Sequence, residues 1–209
     1  MKPPSPDNHH RWAKERPGWV DWALLGLSDD TNLAHILNHR SENRYHYEPT
    51  TPGGRERPDG KVLKWRITTP SSTHKPGELP FFCGDVTPRK WRVPFDVGSN
   101  ARHENGAVGV SWVRVLSNAT GQVHGQLDNI LKQKVTVDSP WVLKTTGKEE
   151  TAYLVVVEPQ VDQERTFLQR KDRKTALYEI AVRLSGGRGP GARVHDLEFG
   201  RLVFETNNA

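Results

Sequence analysis

Residues 57–82 carry two apolar runs joined by a polar connection. Positions 62–67 (VLKWRI) form the first run, which Pro70 ends, and positions 79–82 (LPFF) begin the second. Residues 58–60 (PDG) precede the first run and have the chemistry of a turn, because Pro presets φ, Asp bonds its own backbone and Gly accepts positive φ. The pattern predicts an antiparallel pair of strands.

The same kind of pattern predicts the elements before this pair. Residues 18–27 are apolar and bounded by turn residues, which favours a strand. Leu33, Ile36 and Leu37 then repeat at the spacing of one helix face, so a short helix is expected there. Residues 45–47 suggest a brief strand, and the Pro- and Gly-rich residues 49–59 a loop. The resulting order is βαβββ.

A second copy of this order follows. The predicted elements are a strand at 108–115, a helix with its apolar face at Val123, Leu127 and Ile130, and strands at 141–143, 153–157, 178–184 and 197–204, the last with Gly200 as a bulge. The basic residues 165–174 are expected to be a solvated hairpin tip. Repetition of order without residue identity is typical of an old internal duplication.

The predicted fold is therefore α+β, with two βαβββ modules that form cupped, mostly antiparallel sheets. We expect a flexible arm over residues 1–17, a first module over 18–95, a linker over 96–106, and a second module over 107–206 with an extra C-terminal strand. The arm is rich in Pro, charge and His, and it has no apolar core of its own.

The composition restricts the classes of ligand and the cellular compartment but does not indicate a particular function. The net charge of +5 and the pI of about 9.4 permit contact with acidic ligands but do not require it. The single Cys83 excludes an internal disulfide, and its apolar surroundings favour a buried, inert thiol. With no signal-like start and no apolar run long enough for a bilayer, we expect a soluble cytoplasmic protein without membrane contact.

Four stretches in order resemble one family. Residues 57–70 (RPDGKVLKWRITTP), 79–82 (LPFF), 103–106 (HENG) and the opening 9–27 (HHRWAKERPGWVDWALLGL) resemble the glyoxalase-like proteins of the vicinal oxygen chelate superfamily. The resemblance covers residues 9–116, and the remainder is similar by element order. It implies a small-molecule ligand and a divalent metal such as Zn, Ni, Mn or Fe. An active member would perform metal-dependent lyase, isomerase or dioxygenase-like chemistry.

The same resemblance implies that a further βαβββ module usually comes first and supplies His and Glu metal ligands. We expect either a shortened form that begins after that module or a sequence that has lost its beginning, and in both cases no ligand is transferred from that module. Glu179, on the polar side of its strand, matches the position of the family's acidic ligand in the last strand. It is our candidate metal residue, and simple solvent exposure is the alternative.

The candidate ligand-binding residues lie around the first strand pair. Trp65 and Phe82 are expected to line a pocket, with core packing as the alternative for both aromatic rings. Arg57 and Arg66 are suitable anchors for a carboxylate, because a guanidinium binds it in bidentate fashion. His103, in the loop before the next strand, completes the set.

Two further functions remain open at this stage. One is a catalytically inactive partial module that acts as a binding or dimerisation domain, because an exposed sheet edge invites a second copy. The other is nucleic-acid contact through the basic residues 89–92 and 165–174. We do not expect the latter, because the sequence places no stacking platform beside those residues.

Overall fold

The computed structural model describes residues 11–26, 32–94, 102–137, 139–145, 151–185 and 192–206. Most of the predicted arm and linker, and all of the Gly-rich run 186–191, lie outside the described residues. The described elements, in chain order, are β1 (Ala23–Leu25), α1 (Leu33–Arg40), β2 (Thr51–Glu56), β3 (Val62–Thr68), β4 (Phe81–Asp85), α2 (Arg89–Arg92), β5 (Ala107–Ser117), α3 (Thr120–Leu131), β6 (Trp141–Lys144), β7 (Thr151–Val157), α4 (Asp162–Lys171), β8 (Thr175–Leu184), β9 (Ala192–Leu197) and β10 (Gly200–Thr206). The predicted α+β class is confirmed.

The smaller sheet contains the predicted βαβββ order. Its strands run β1-β4-β3-β2, with β1 parallel to β4 and the other neighbours antiparallel. The hairpin predicted from residues 57–82 is the β3–β4 pair, in which Trp65 lies opposite Asp85. A parallel contact between the first and last strands requires a crossover, and α1 begins that crossover.

The second strand of this sheet lies where the sequence predicted a loop. β2 spans Thr51–Glu56, whereas the predicted strand at 45–47 is only a bridge between Tyr47 and Pro70. β2 is an edge strand, so Pro52 costs no bond inside the sheet. Gly53 lies under the Trp65 indole, and a Cβ there would be only 2.3 Å from Trp65 Nε1. The residues that indicated a loop therefore have other roles: Pro52 is tolerated because β2 is an edge strand, and Gly53 leaves room for the Trp65 indole.

The larger sheet has the order β6-β7-β5-β8-β10-β9, with β5 parallel to β7 and β8 parallel to β10. Its first four strands and two helices follow the connection βαββαβ, a split βαβ arrangement. The prediction of a hairpin tip at 165–174 is wrong, because these residues belong mostly to α4. Phe167 and Leu168 are buried against Tyr178 and Leu116, and this packing stabilises a helix whose sequence is otherwise polar.

The C-terminal residues form a hairpin rather than one bulged strand. β9 and β10 pair in antiparallel fashion around a turn at Glu198 and Phe199. Gly200 follows with φ of +146°, and a Cβ there would be 2.4 Å from the Trp19 indole and 2.7 Å from the Tyr178 carbonyl oxygen. Only glycine suits this position, because the backbone has positive φ and a side chain would collide with Trp19. The change of alternation that predicted a bulge at Gly200 instead marks the turn between β9 and β10.

The two sheets share one core. Leu37 from α1, Phe82 from β4, Leu127 from α3 and Leu154 from β7 belong to a single buried cluster. Trp141, fully buried in the same cluster, donates its indole N–H to Asp128 on α3 at 2.9 Å. Helices α1 and α3 also touch, so the smaller sheet is held at a defined position against the larger one. In the described part of the chain, no helix has the length and apolar character needed to cross a bilayer.

Candidate functional site

The structure does not gather the predicted ligand-binding residues into one pocket. Phe82 is buried in the shared core, with its ring centroid 5.8 Å from that of Tyr47. Trp65 covers Gly53 on the opposite face of the smaller sheet, because neighbouring strand positions alternate sides. The core-packing alternative therefore describes the environment of Phe82.

The predicted polar anchors are also apart. Arg57 donates to the Trp91 carbonyl at 2.7 Å and pairs with Asp59 at 3.0 Å, so its guanidinium fastens the β2–β3 turn to α2. Arg66 is half-buried on β3 and has its own interactions. His103 is exposed in a turn that its carbonyl closes by accepting from the Gly106 N–H.

Glu179 is buried, with 6% of its surface exposed, so simple solvent exposure does not describe it. Its Oε1 accepts from the Trp112 indole N–H at 2.8 Å, and its Oε2 lies 3.5 Å from the Arg201 guanidinium. Both oxygens are thus directed at donors, and a cationic neighbour disfavours a metal ion beside them. Within the described residues, no group of three His, Cys, Asp or Glu side chains is placed to hold a metal ion. These donors do not fit the metal that the family implies.

A basic cluster surrounds the end of β4. Asp85 accepts from Arg92 and, at 2.9 Å, from Arg89. Burial alone would raise the pKa of the Asp85 carboxyl, but the hydrogen bonds from Arg92 and Arg89 outweigh it and lower the pKa below its usual value. Burial raises the pKa of the nearby Cys83 thiol, which keeps it protonated and unreactive. The arginines of residues 89–92 therefore neutralise a carboxylate of their own chain.

A cleft between the two sheets is the best candidate site. Its volume is about 440 Å³, which suits a small organic ligand. One side consists of Trp12, Trp19, Trp22 and Phe81, from the segment before β1 and from β4. The other side is the larger sheet, where Val113, Leu177 and Ile180 form an apolar floor.

Asp21 positions the aromatic side of this cleft. Its Oδ1 accepts from the Gly77 N–H at 2.9 Å and the Trp22 N–H at 3.0 Å, and its Oδ2 accepts from Trp12 Nε1 at 2.8 Å. The Asp21 side chain is only 2% exposed and also pairs with Arg11 at 3.2 Å. Asp21 therefore holds the Trp12 indole beside the backbone of Trp22 and Gly77, and the Trp22 indole donates separately to the Gly77 carbonyl at 3.2 Å.

Trp19, which lines the cleft, turns the N–H edge of its indole toward Gly200 of β10. The indole Nε1 of Trp19 is buried and has no hydrogen bond within the described ranges. A buried N–H without an acceptor carries a desolvation cost. The cleft itself presents mainly aromatic and aliphatic surface, which suits a flat apolar molecule. Sequence reasoning missed these residues, although three of the seven tryptophans fall within residues 12–22.

The comparisons with known proteins agree with this architecture. The sequence model of the glyoxalase-like domain matches residues 2–131, more than half of the chain, and the chain belongs to that family. The match spans the smaller sheet, β5 and α3, and thus the whole aromatic side of the cleft. The resemblance inferred from the sequence is confirmed.

A solved structure shares the fold at low identity. It is a crystal structure of a hypothetical protein from Staphylococcus aureus, with a TM-score of 0.56 and 10% sequence identity. The alignment covers 90% of this chain and 66% of that chain, so this chain spans slightly less than two thirds of the other's length. A search of curated proteins found no match.

Proposed function

We propose that this protein is a small-molecule-binding member of the glyoxalase-like family and that its ligand occupies the cleft between the sheets. The observation that carries the proposal is the aromatic wall of Trp12, Trp19 and Trp22 facing the apolar floor of β5 and β8. Aromatic side chains supply large rigid contact areas, which suits a planar ligand. The mostly apolar lining favours a ligand with little charge.

The proposed binding does not depend on a metal held by Glu179. The cleft is lined almost entirely by apolar side chains, and its one acid, Asp21, is already saturated with donors. Divalent metals are common in the family, so metal content after purification without chelator is the first control. A metal at one equivalent that Glu179→Ala removes would contradict this part of the proposal. We keep the cytoplasmic location as part of the proposal, supported by the single cysteine.

Titration with the neutral planar lactone coumarin, followed by saturation-transfer NMR and calorimetry, tests the ligand site. Val113→Trp places a large ring on the cleft floor and should abolish binding, whereas Val142→Trp, on an exposed position of β6, should leave it unchanged. Trp12→Ala removes one of the three indole rings of the aromatic wall. Because Trp12 is 42% exposed, the variant should stay folded and bind more weakly. Equal binding by wild type and Val113→Trp would refute the cleft as the site.

Self-association is a second candidate function. β9 lies at the edge of the larger sheet, and Val194 in its middle is exposed. A free strand edge offers unpaired backbone groups to the same edge of a second copy. Light scattering during gel filtration should then give a dimer for the wild type and a monomer for Val194→Lys. A wild-type monomer throughout the micromolar range would reject this function.

A further inference from the structure

Two adjoining cavities lie on the opposite face of the larger sheet, away from the cleft between the sheets. The outer cavity has a volume of about 410 Å³ and lies between the C-terminal turn of α4, the β9–β10 turn and residues 16–17. The inner cavity, about 210 Å³, is lined by α4, β8 and the start of β10. They share Phe167, Arg170 and Glu198 as lining residues, so a single ligand can reach both.

One residue that lines the inner cavity, Tyr178, has a hydroxyl that is unsatisfied among the described residues. Tyr178 lines this cavity, is 2% exposed, and its hydroxyl has no hydrogen-bond partner in the described part of the chain. Its ring packs against Phe167, and the guanidiniums of Arg114 and Arg201 lie 5.7 and 5.2 Å from its centroid. Its position is thus fixed, and the O–H is a buried donor that requires an acceptor.

Ion pairs hold the two guanidiniums that flank Tyr178. Arg114 pairs with Glu164 on α4 at 2.6 Å, and Arg201 pairs with Asp196 at 2.7 Å and with Glu179 at 3.5 Å. Each guanidinium is thereby engaged within the protein. A positive charge that binds a ligand anion must therefore come from a residue other than Arg114 and Arg201.

Arg170 is that cation. It lines both cavities, and its guanidinium forms no hydrogen bond or ion pair with another described residue, although its carbonyl accepts from Arg16 at 2.6 Å. Lys171 lines the outer cavity as well, where its Nζ donates to the Pro17 carbonyl at 3.0 Å. Burial, together with the positive charges of Arg173 and Arg16, lowers the pKa of Lys171. These cations outnumber the one acid in the lining, Glu198, and the surplus of positive charge favours an anion.

The outer cavity also has apolar surface. Phe167 lies on the α4 side and Phe199, 37% exposed, on the side of the β9–β10 turn. We propose that these cavities bind a small organic carboxylate with an apolar body. The carboxylate lies at the junction and accepts from Arg170 and the Tyr178 hydroxyl, while the body packs against the two phenylalanines. This site is separate from the cleft proposed for the family function.

Calorimetric titration with 3-phenylpropionate tests the proposal, with 3-phenylpropan-1-ol as the neutral probe. The acid should bind and the alcohol should not. Arg170→Gln should weaken binding of the acid about tenfold, since a charge-assisted hydrogen bond is lost. Arg165→Gln removes the same charge from another face of α4, where Arg165 pairs with Asp162, and should leave the affinity unchanged. Glu198→Gln should tighten binding roughly twofold, because it removes a like charge.

Tyr178→Phe separates a binding role from a structural one. The variant should bind the acid roughly fivefold more weakly, yet its unfolding midpoint should not fall, because the lost hydroxyl has no partner in the free protein. Three results would overturn the proposal: equal affinity for the alcohol, unchanged affinity in Arg170→Gln, or loss of binding in Val113→Trp. The last result would locate the acid in the cleft between the sheets.

Discussion

The indole N–H of Trp112 lies 2.8 Å from Oε1 of Glu179, across the β5–β8 pair. This bond occupies the carboxylate that the family resemblance suggested as a metal ligand. Together with Arg201, it makes Glu179 the centre of a buried polar group beneath α4. Its expected role is therefore structural.

Glu179→Ala should lower the free energy of unfolding by about 2 kcal/mol, because it leaves the Trp112 N–H without an acceptor and Arg201 without one partner. Urea denaturation measures the loss. Asp196→Ala is the matched control, since it removes the exposed partner of the same Arg201 and should cost less than about 1 kcal/mol. Equal losses in the two variants would contradict the assignment.

The Asp85 cluster predicts a specific acid sensitivity. The pKa of the Asp85 carboxyl is lower in the folded protein than in the unfolded chain, where an Asp titrates near 3.9. The stabilisation is therefore present above about pH 5 and is lost as the pH falls through and below about 4. Asp85→Asn should cost about 1–3 kcal/mol at pH 7, and the gap to wild type should narrow progressively as the pH falls below about 4.

Denaturation curves between pH 3 and pH 7 measure this gap. Asp59→Asn provides the comparison, because Asp59 forms exposed ion pairs with Arg57 and Lys61 and should change stability by less than about 1 kcal/mol. A gap for Asp85→Asn that stays constant over the whole pH range would mean that the ionised carboxylate is not the stabilising form.

Two glycines should respond in opposite ways to alanine. Gly53→Ala should lower the free energy of unfolding by about 1–3 kcal/mol, because its Cβ would collide with the Trp65 indole. Gly125→Ala, in the middle of α3, should raise it by about 0.5–1 kcal/mol, because alanine favours a helix and the nearest atom, on Arg44, is 3.6 Å away. Thermal and urea unfolding of both variants measures the sign.

Arg173 should hold residues 12–22, which carry three tryptophans of the cleft wall, against the rest of the fold. Its buried guanidinium donates to the Pro76 carbonyl and to Glu15, which precedes Trp19 in the cleft wall. Arg173→Met should lower the free energy of unfolding by about 2–3 kcal/mol and should speed chymotrypsin cleavage after Trp12 and Trp19. Lys174→Met, at an exposed neighbouring position, should do neither. Unchanged cleavage in Arg173→Met would show that the segment is held by other contacts.

Local patterns identified part of this architecture and failed in recognisable places. The apolar run at 62–67 predicted β3, period-two alternation predicted β8, and the spacing of Leu33, Ile36 and Leu37 predicted α1. The edge strand β2 was missed because Pro52, Gly53 and Gly54 have the composition of a loop. α4 was missed because most of its residues are polar, and it is stabilised chiefly by burial of Phe167 and Leu168.

The amino-acid sequence by itself determined the α+β class, the first βαβββ unit and the family, because these depend on local periodicity and on stretches of characteristic residues. The tertiary structure decided the sites. Trp19 meets Ile180 in one cleft, and Arg170 meets Tyr178 in another cavity, only after two sheets pack on a shared core. Glu179 likewise acquired its role from a strand partner 67 positions away. Contacts between residues so far apart leave no periodic signal, and only the folded chain brings them together.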